Sequence, residues 1–226
     1  MRAFFTTIVL CSSLLAQAPP TKGAAKGASG GPPSLMNPAS LRAKAPDVFK
    51  AEFTTTKGNF VVEVHRDWAP IGADRFYNLV KNGFYDEASF FRVVPNFVVQ
   101  FGMSAKPAIT QAWEKANLRD DPVKQSNKRG YLCFAATQSP NTRTTQVFIN
   151  LKDNGGSLDP QGFAAFGNVT EGMDVVDKLY SGYGDNGPDQ GRITAQGKPY
   201  LDKSFPKLDS IKTAKILPAE GAGDKK

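Results

Sequence analysis

Histidine and cysteine are nearly absent from this chain: 226 residues contain one histidine, His65, and two cysteines, Cys11 and Cys133. A four-cysteine or paired cysteine–histidine zinc site, a three-histidine centre and a disulfide framework all need more ligands than that. A Ser-His-Asp triad would have to use His65, which ends a strand-like run on its polar face with no supporting spacing. Apolar runs are short as well, and none reaches the ~18 residues of a membrane-crossing helix. Positive charge is in excess, at +7, but it is unevenly placed. Lys22, Lys26, Arg42 and Lys44 stand between residues 19 and 46 without an acid, whereas residues 47–217 hold 21 basic against 19 acidic side chains. A domain so nearly balanced has no clustered basic face for a nucleic acid. The chemistry expected of it uses no metal, no cofactor, no nucleic acid and no membrane span.

The ends of the chain read as addresses and tethers. Arg2 followed by the apolar stretch 3–16 and by Ala16-Gln17-Ala18 fits a signal peptide over residues 1–18, with cleavage after Ala18. Export to the periplasm or the medium follows from that reading, and removal of the leader leaves Cys133 as the only thiol. From Pro19 to Ser40, 16 of 22 residues are Pro, Gly, Ala or Ser, a composition that buries too little apolar surface to offset chain entropy. Residues 19–46 are therefore expected to be a disordered basic linker, residues 47–217 the folded domain, and residues 218–226 a disordered tail.

Within the domain, strands dominate. Residues 50–56 and 60–65 are β-rich and separated by Lys57-Gly58-Asn59, and the alternation of Phe60, Val62 and Val64 predicts a hairpin with one buried face. Pro70 near the start, Phe76, Leu79 and Val80 at helical spacing, and Gly83 after the last turn predict a helix over 70–81. Further short strands are expected at 89–94, 97–101, 130–137 and 145–151, and a second helix over 171–180 with Thr170 as its N-cap. Six or more strands with two helices point to a mainly β domain, a closed antiparallel barrel with helices at its ends.

Three polar side chains interrupt those apolar strands: Arg92 after Phe90-Phe91, Gln100 after Val98-Val99, and Gln146 before Val147-Phe148-Ile149. Each shares a face with apolar neighbours by the two-residue period, and each must find partners there. On strand pattern alone, a satisfied structural arginine with two edge glutamines competes with a functional cluster, and alternation leaves Phe97 out of phase with Gln100. Asp185, Asn186 and Asp189 sit in a Gly-rich stretch without the spacing of a calcium-binding loop, which reads as a turn. Cys133 reads as a small buried hydrophobe.

These same residues carry a resemblance. Residues 90–100, Phe-Phe-Arg-Val-Val-Pro-Asn-Phe-Val-Val-Gln, resemble the cyclophilin motif F-x-R-(I/V)-(I/V)-P-x-F-x-x-Q, and residues 140–149 resemble its partner P-N-T-x-x-S-Q-F-F-I, in the same order. The likeness extends over about residues 48–217. It implies an eight-stranded antiparallel barrel capped by two helices, and peptidyl-prolyl cis-trans isomerase activity on proline-containing peptides and unfolded exported proteins, by a monomer. By the resemblance, Arg92 meets the prolyl nitrogen, Gln100 holds the substrate backbone, and Phe97, Val98, Phe148 and Leu158 form the proline pocket. Ala136 and Thr137 line the floor, Gln146 borders the groove, and Phe163 stands where many members have a histidine. Val98 replaces the pocket methionine, and Ser157 stands in place of a tryptophan. The alternative on this fold is a module that binds proline peptides with little turnover.

Overall fold

The computed structural model describes residues 33–219. Eight strands, β1 (Val48–Thr55), β2 (Gly58–His65), β3 (Arg92–Val94), β4 (Val98–Phe101), β5 (Tyr131–Phe134), β6 (Val147–Asn150), β7 (Ala165–Glu171) and β8 (Ile211–Ile216), form one sheet. Their order is β3-β4-β6-β5-β7-β2-β1-β8, with every ladder antiparallel. The helices are α1 (Pro70–Lys81), α2 (Pro107–Trp113), α3 (Gly155–Leu158), α4 (Met173–Asp177), α5 (Gln190–Gln196) and α6 (Lys198–Ser204).

The hairpin β1–β2 shows how pattern becomes packing. Phe49, Ala51, Phe53 and Thr55 alternate inward along β1, and Phe53 faces Phe60 across the ladder. Their rings stack with centroids 4.9 Å apart, and Phe76 of α1, Tyr85 and Phe101 close around Phe53 at 5.8–6.2 Å. Burying so many rings, each worth on the order of 1.5–3 kcal/mol, is the main source of the fold's stability. Pro70 starts α1, as expected, and Phe76, Leu79 and Val80 point into the same core.

Sequence expectation and structure part at several places. The sheet does not close into a continuous ladder: β3 and β8 are its edges, and among the described residues the chain just before each is joined by the isolated Ser89–Ser210 bridge, where Ile211 N–H donates to Ala88 O and Phe90 N–H to Asp209 O. The architecture is a curled, incompletely closed barrel. Because Ser89 forms only an isolated bridge and residues 90–91 belong to no strand, Phe90 turns into the core while Arg92 faces outward, which a strict two-residue period does not give. The helix expected over 171–180 is shorter: β7 runs through Glu171, Thr170 belongs to that strand, and α4 starts after Gly172, whose φ of 75° ends the ladder. More than two helices are present, since α2, α3, α5 and α6 lie in stretches where the sequence pattern predicts none.

Part of the stretch expected to be linker is docked. Residues 1–18 and 19–32 lie outside the described residues, as do residues 220–226, but 33–46 are docked on the domain. Leu35 is 1% exposed, and its carbonyl accepts the indole N–H of Trp113 at 2.8 Å. Asn78 brackets Ala43, accepting its N–H at 3.1 Å and donating to its carbonyl at 2.7 Å, while Ala45 N–H donates to Asp74. An average over a Pro/Gly-rich stretch hides a single anchoring leucine. Leu35→Ala is expected to lower stability by about 2–4 kcal/mol in chemical denaturation; a change under about 0.5 kcal/mol, the range of surface substitutions, would mean the segment is not docked.

Candidate active site

Strands β4 and β6 are buried on both faces, and this two-sidedness builds the site. Val99, Phe101, Val147 and Ile149 face the barrel core; Val98, Gln100 and Phe148 face away from it, toward a second layer. The ladder registers then align a row of outward residues across five strands. Arg92 pairs with Gln100, Gln100 with Phe148, Phe148 with Cys133, and Cys133 with Ala165. Directly opposed residues lie about 4.5–5.5 Å apart, so residues separated by dozens of positions become neighbours.

Over this row lies a cavity of about 130 Å³. Its polar rim is Arg92 and Gln100, and its apolar wall is Phe97, Val98, Phe148, Leu158 and Phe163, with Ala135 and Ala136 at one end. Phe97 joins despite its parity because it belongs to the turn 95–97, where Asn96 adopts a φ of 57° and swings the chain before β4 begins. The structure thus brings together Arg92, Phe97, Val98, Gln100, Ala136, Phe148, Leu158 and Phe163. Thr137 stands one step outside, in the adjoining depression that shares Ala136 and Phe163; there its hydroxyl and N–H meet Thr142 Oγ1 at 3.0 and 3.1 Å.

Polar side chains on the rim form a relay. Arg92 Nη1 donates to Gln100 Oε1 at 3.2 Å, Gln100 Nε2 to Gln146 Oε1 at 2.8 Å, and Gln146 Nε2 to Gln190 Oε1 at 3.0 Å. Gln146, outside the cavity lining, is therefore linked to it through Gln100. Arg92 Nε donates to Asp185 at 2.6 Å, and the guanidinium carbon lies 5.6 Å from the centre of the Phe97 ring. With both ends of its amide engaged, Gln100 keeps one free N–H for a ligand. Neither Asp185 nor Gln190 was legible as a site residue. Asp185 is an acid in a Gly-rich turn, and no spacing rule links it to an arginine 93 positions away.

A buried amide network holds the apolar wall. Asn127, fully buried, donates to Asp159 at 2.7 Å and to Phe163 O at 2.8 Å, and accepts from Asn150 at 3.1 Å. Asn154 donates to Asn150 and to Phe97 O, at 2.8 and 3.0 Å, so opposite walls of the cavity hang from one network. Desolvation pushes the Asp159 carboxyl up, but hydrogen bonds from the Asn127 side chain, Ser126 and the Asn127 N–H outweigh it and hold the group below its ordinary value. The Phe163 ring meets Phe148 edge-on at 5.5 Å and lies under Arg143, which is anchored by Asp120 and by Gly162 O. Among the described residues no group of three or more His, Cys, Asp or Glu could hold a metal.

Cys133 lies beneath the cavity, its thiol donating to Asn127 Oδ1 at 2.9 Å. Burial pushes that thiol well above its ordinary range. In a chain beginning at Pro19, a thiol reagent at pH 8 is expected to leave the native protein unlabelled and to react on unfolding; native labelling at the unfolded rate would contradict this burial. Since only the unfolded thiol ionises near pH ~8.5, the Cys133 contribution to stability is complete below that value and falls as pH rises above it.

Comparison with known proteins identifies relatives of this chain. Residues 50–198 match the family model of the cyclophilin type peptidyl-prolyl cis-trans isomerases. The chain is 41% identical over 137 residues to a peptidyl-prolyl cis-trans isomerase of Acinetobacter baylyi, covering 57% of this chain and 70% of that one. It is 36% identical over 166 residues to peptidyl-prolyl cis-trans isomerase B of Escherichia coli, covering 70% of this chain and 93% of that one. Its fold resembles the crystal structure of a Cryptosporidium parvum cyclophilin type peptidyl-prolyl cis-trans isomerase, with a TM-score of 0.59 at 18% identity, over 76% of this chain and 98% of that one. A second structure of that protein, determined in the presence of the dipeptide Ala-Pro, gives 0.57 over 75% and 99%.

Proposed function

The chain belongs to the cyclophilin-type peptidyl-prolyl cis-trans isomerases, and from that premise we propose that it turns X-Pro bonds in exported, still-folding proteins with Arg92 as its central residue. The observation that carries the reading is the meeting of a fixed guanidinium with an apolar cavity: Arg92 and Gln100 on one side, Phe97, Phe148, Leu158 and Phe163 on the other.

The reaction needs no bond made or broken. Rotation about a peptide bond meets a barrier of about 18–20 kcal/mol because the nitrogen lone pair is conjugated with the carbonyl. At the perpendicular geometry that conjugation is lost and the prolyl nitrogen becomes a hydrogen-bond acceptor. A donor aimed there binds the twisted amide better than either planar form, which is the condition for catalysis. The pyrrolidine ring fits among Phe97, Val98, Phe148 and Leu158, where apolar contact holds it while the preceding carbonyl swings. Gln100 takes the substrate backbone through its remaining N–H, Ala136 and Thr137 line the path of the residues before proline, and Gln146 borders the groove. Arg92 supplies the donor, held beside Gln100 and backed by the Phe97 ring. The uncatalysed rotation takes tens to hundreds of seconds, slow enough to limit folding.

A charge-assisted hydrogen bond is worth about 1.5–3 kcal/mol, so Arg92→Ala is expected to reduce catalysed exchange of a short X-Pro peptide about 10- to 100-fold with an unchanged circular dichroism spectrum. Turnover at the parent rate would overturn the role of Arg92.

The cellular setting rests on residues 1–32. A basic start, an apolar stretch and Ala16-Gln17-Ala18 support a leader cleaved after Ala18, with the mature monomer in the periplasm or the medium. The clients would then be extended, proline-containing segments of proteins that have just crossed the membrane. Fractionation with N-terminal sequencing is expected to recover a chain beginning at Pro19 outside the cytoplasm; an unprocessed chain retained in the cytoplasm would contradict export.

A further inference from the structure

The polar relay on the cavity rim is held at both ends by one short segment that the isomerase reading does not use. Asp185, in the turn Gly184–Asn186, accepts from Arg92 Nε at 2.6 Å, and Gln190, at the start of α5, accepts from Gln146 Nε2 at 3.0 Å. Between these contacts run Arg92, Gln100 and Gln146. We propose that residues 185–190 form a clamp on this relay, with Asp185 the positioning residue that sets the orientation of the Arg92 guanidinium.

The segment is built to hold still. On one side Tyr183 packs edge-on against Tyr180 and Phe205, each with centroids at 5.0 Å. On the other, Asp189 N–H donates to Tyr200 Oη at 3.3 Å, and the Asp189 carboxylate caps α5 by accepting Arg192 N–H at 2.7 Å. Gly187 lies so close to the chain just before Arg92 that a Cβ there would come within 3.1 Å of Phe91 O. The turn is thereby seated against the backbone that carries the arginine.

Why two contacts matter follows from the shape of the group. A guanidinium is planar with five donors in one plane. One hydrogen bond leaves it free to swing about that bond, whereas a bond to Nε and another to Nη1, on different edges, fix both the plane and its direction. Among the described residues Nη2 donates to none, so the two bonds hold the guanidinium by Nε and Nη1 and leave Nη2 for substrate. Stability is a poor explanation for the pair: Asp185 is 61% exposed, and exposed ion pairs add little. Misplacing a catalytic donor by a fraction of an ångström, by contrast, costs rate directly.

This inference rests on Arg92 being the catalytic donor, and the test separates the two. Wild type, Asp185→Ala, Asp185→Asn, Arg92→Ala and the Arg92→Ala/Asp185→Ala double variant are compared by exchange NMR on one X-Pro peptide, resolving kcat from KM. Asp185→Ala is expected to lower kcat about five- to tenfold with KM within about twofold. Asp185→Asn, which keeps an oxygen for Nε, is expected to recover kcat to within about twofold of wild type. In the Arg92→Ala background, removing Asp185 should change nothing further, because a residue acting through another has no effect once that other is gone. Asp185→Ala at wild-type kcat beside a crippled Arg92→Ala would overturn the clamp alone, as would a full Asp185 effect persisting without Arg92. Arg92→Ala at the wild-type rate would overturn both.

Discussion

Antiparallel pairing of β4 with β3 on one side and β6 on the other is the constraint on which this site depends. Because side chains alternate, the registers that put Val99, Phe101, Val147 and Ile149 into the barrel must put Gln100 and Phe148 on its outside, beside Arg92. A slip of one residue would exchange the two sets and drive Gln100 into the barrel core. The aromatic interior therefore fixes the site more firmly than any contact within the site could. Phe53, Phe76, Phe101 and Phe166 make register errors expensive, and the outer row inherits that precision.

The outer layer adds what a sheet alone cannot supply, a concave wall. Phe97, Leu158 and Phe163 come from turns and a short helix, segments with no ladder to hold them. The buried amides do that work: Asn154 holds the carbonyl of Phe97 and Asn127 that of Phe163. Amides suit the task because each offers donors and an acceptor in one plane without a charge to desolvate. All of this gives an apolar cleft with a preorganised donor on its rim, and preorganisation is what an amide rotation requires, since no proton, nucleophile or metal takes part.

Much of this was legible in the sequence, for physical reasons that also mark where legibility stops. The hairpin and α1 follow from local period and punctuation, with Phe60, Val62 and Val64 alternating and Pro70 at a helix start. Arg92, Gln100 and Gln146 stood out because a polar group in an apolar strand must be satisfied, and the long motifs around them named their neighbours. Phe97 escaped the alternation rule because a left-handed Asn96 breaks the period before β4. The docking of residues 33–46 escaped composition, because Leu35 is one residue among many small ones and its partner Trp113 lies 78 positions away. Asp185 escaped because ion pairs across the fold obey no spacing, and the irregular closure at Ser89–Ser210 escaped because an isolated bridge has no period at all.

Arg92 binding the twisted amide more tightly than the planar one is the central claim, and it is tested most directly by measuring ground-state affinity and catalysed rate on the same peptide. The dissociation constant of an X-Pro peptide and its cis-trans exchange rate on the enzyme are read together for the parent chain and for Arg92→Lys, which keeps the charge but loses the planar fork. The account predicts an affinity within about threefold of the parent and an exchange rate at least about tenfold lower. Affinity and rate falling together by the same factor would show that Arg92 binds all states alike, and the mechanism would be wrong.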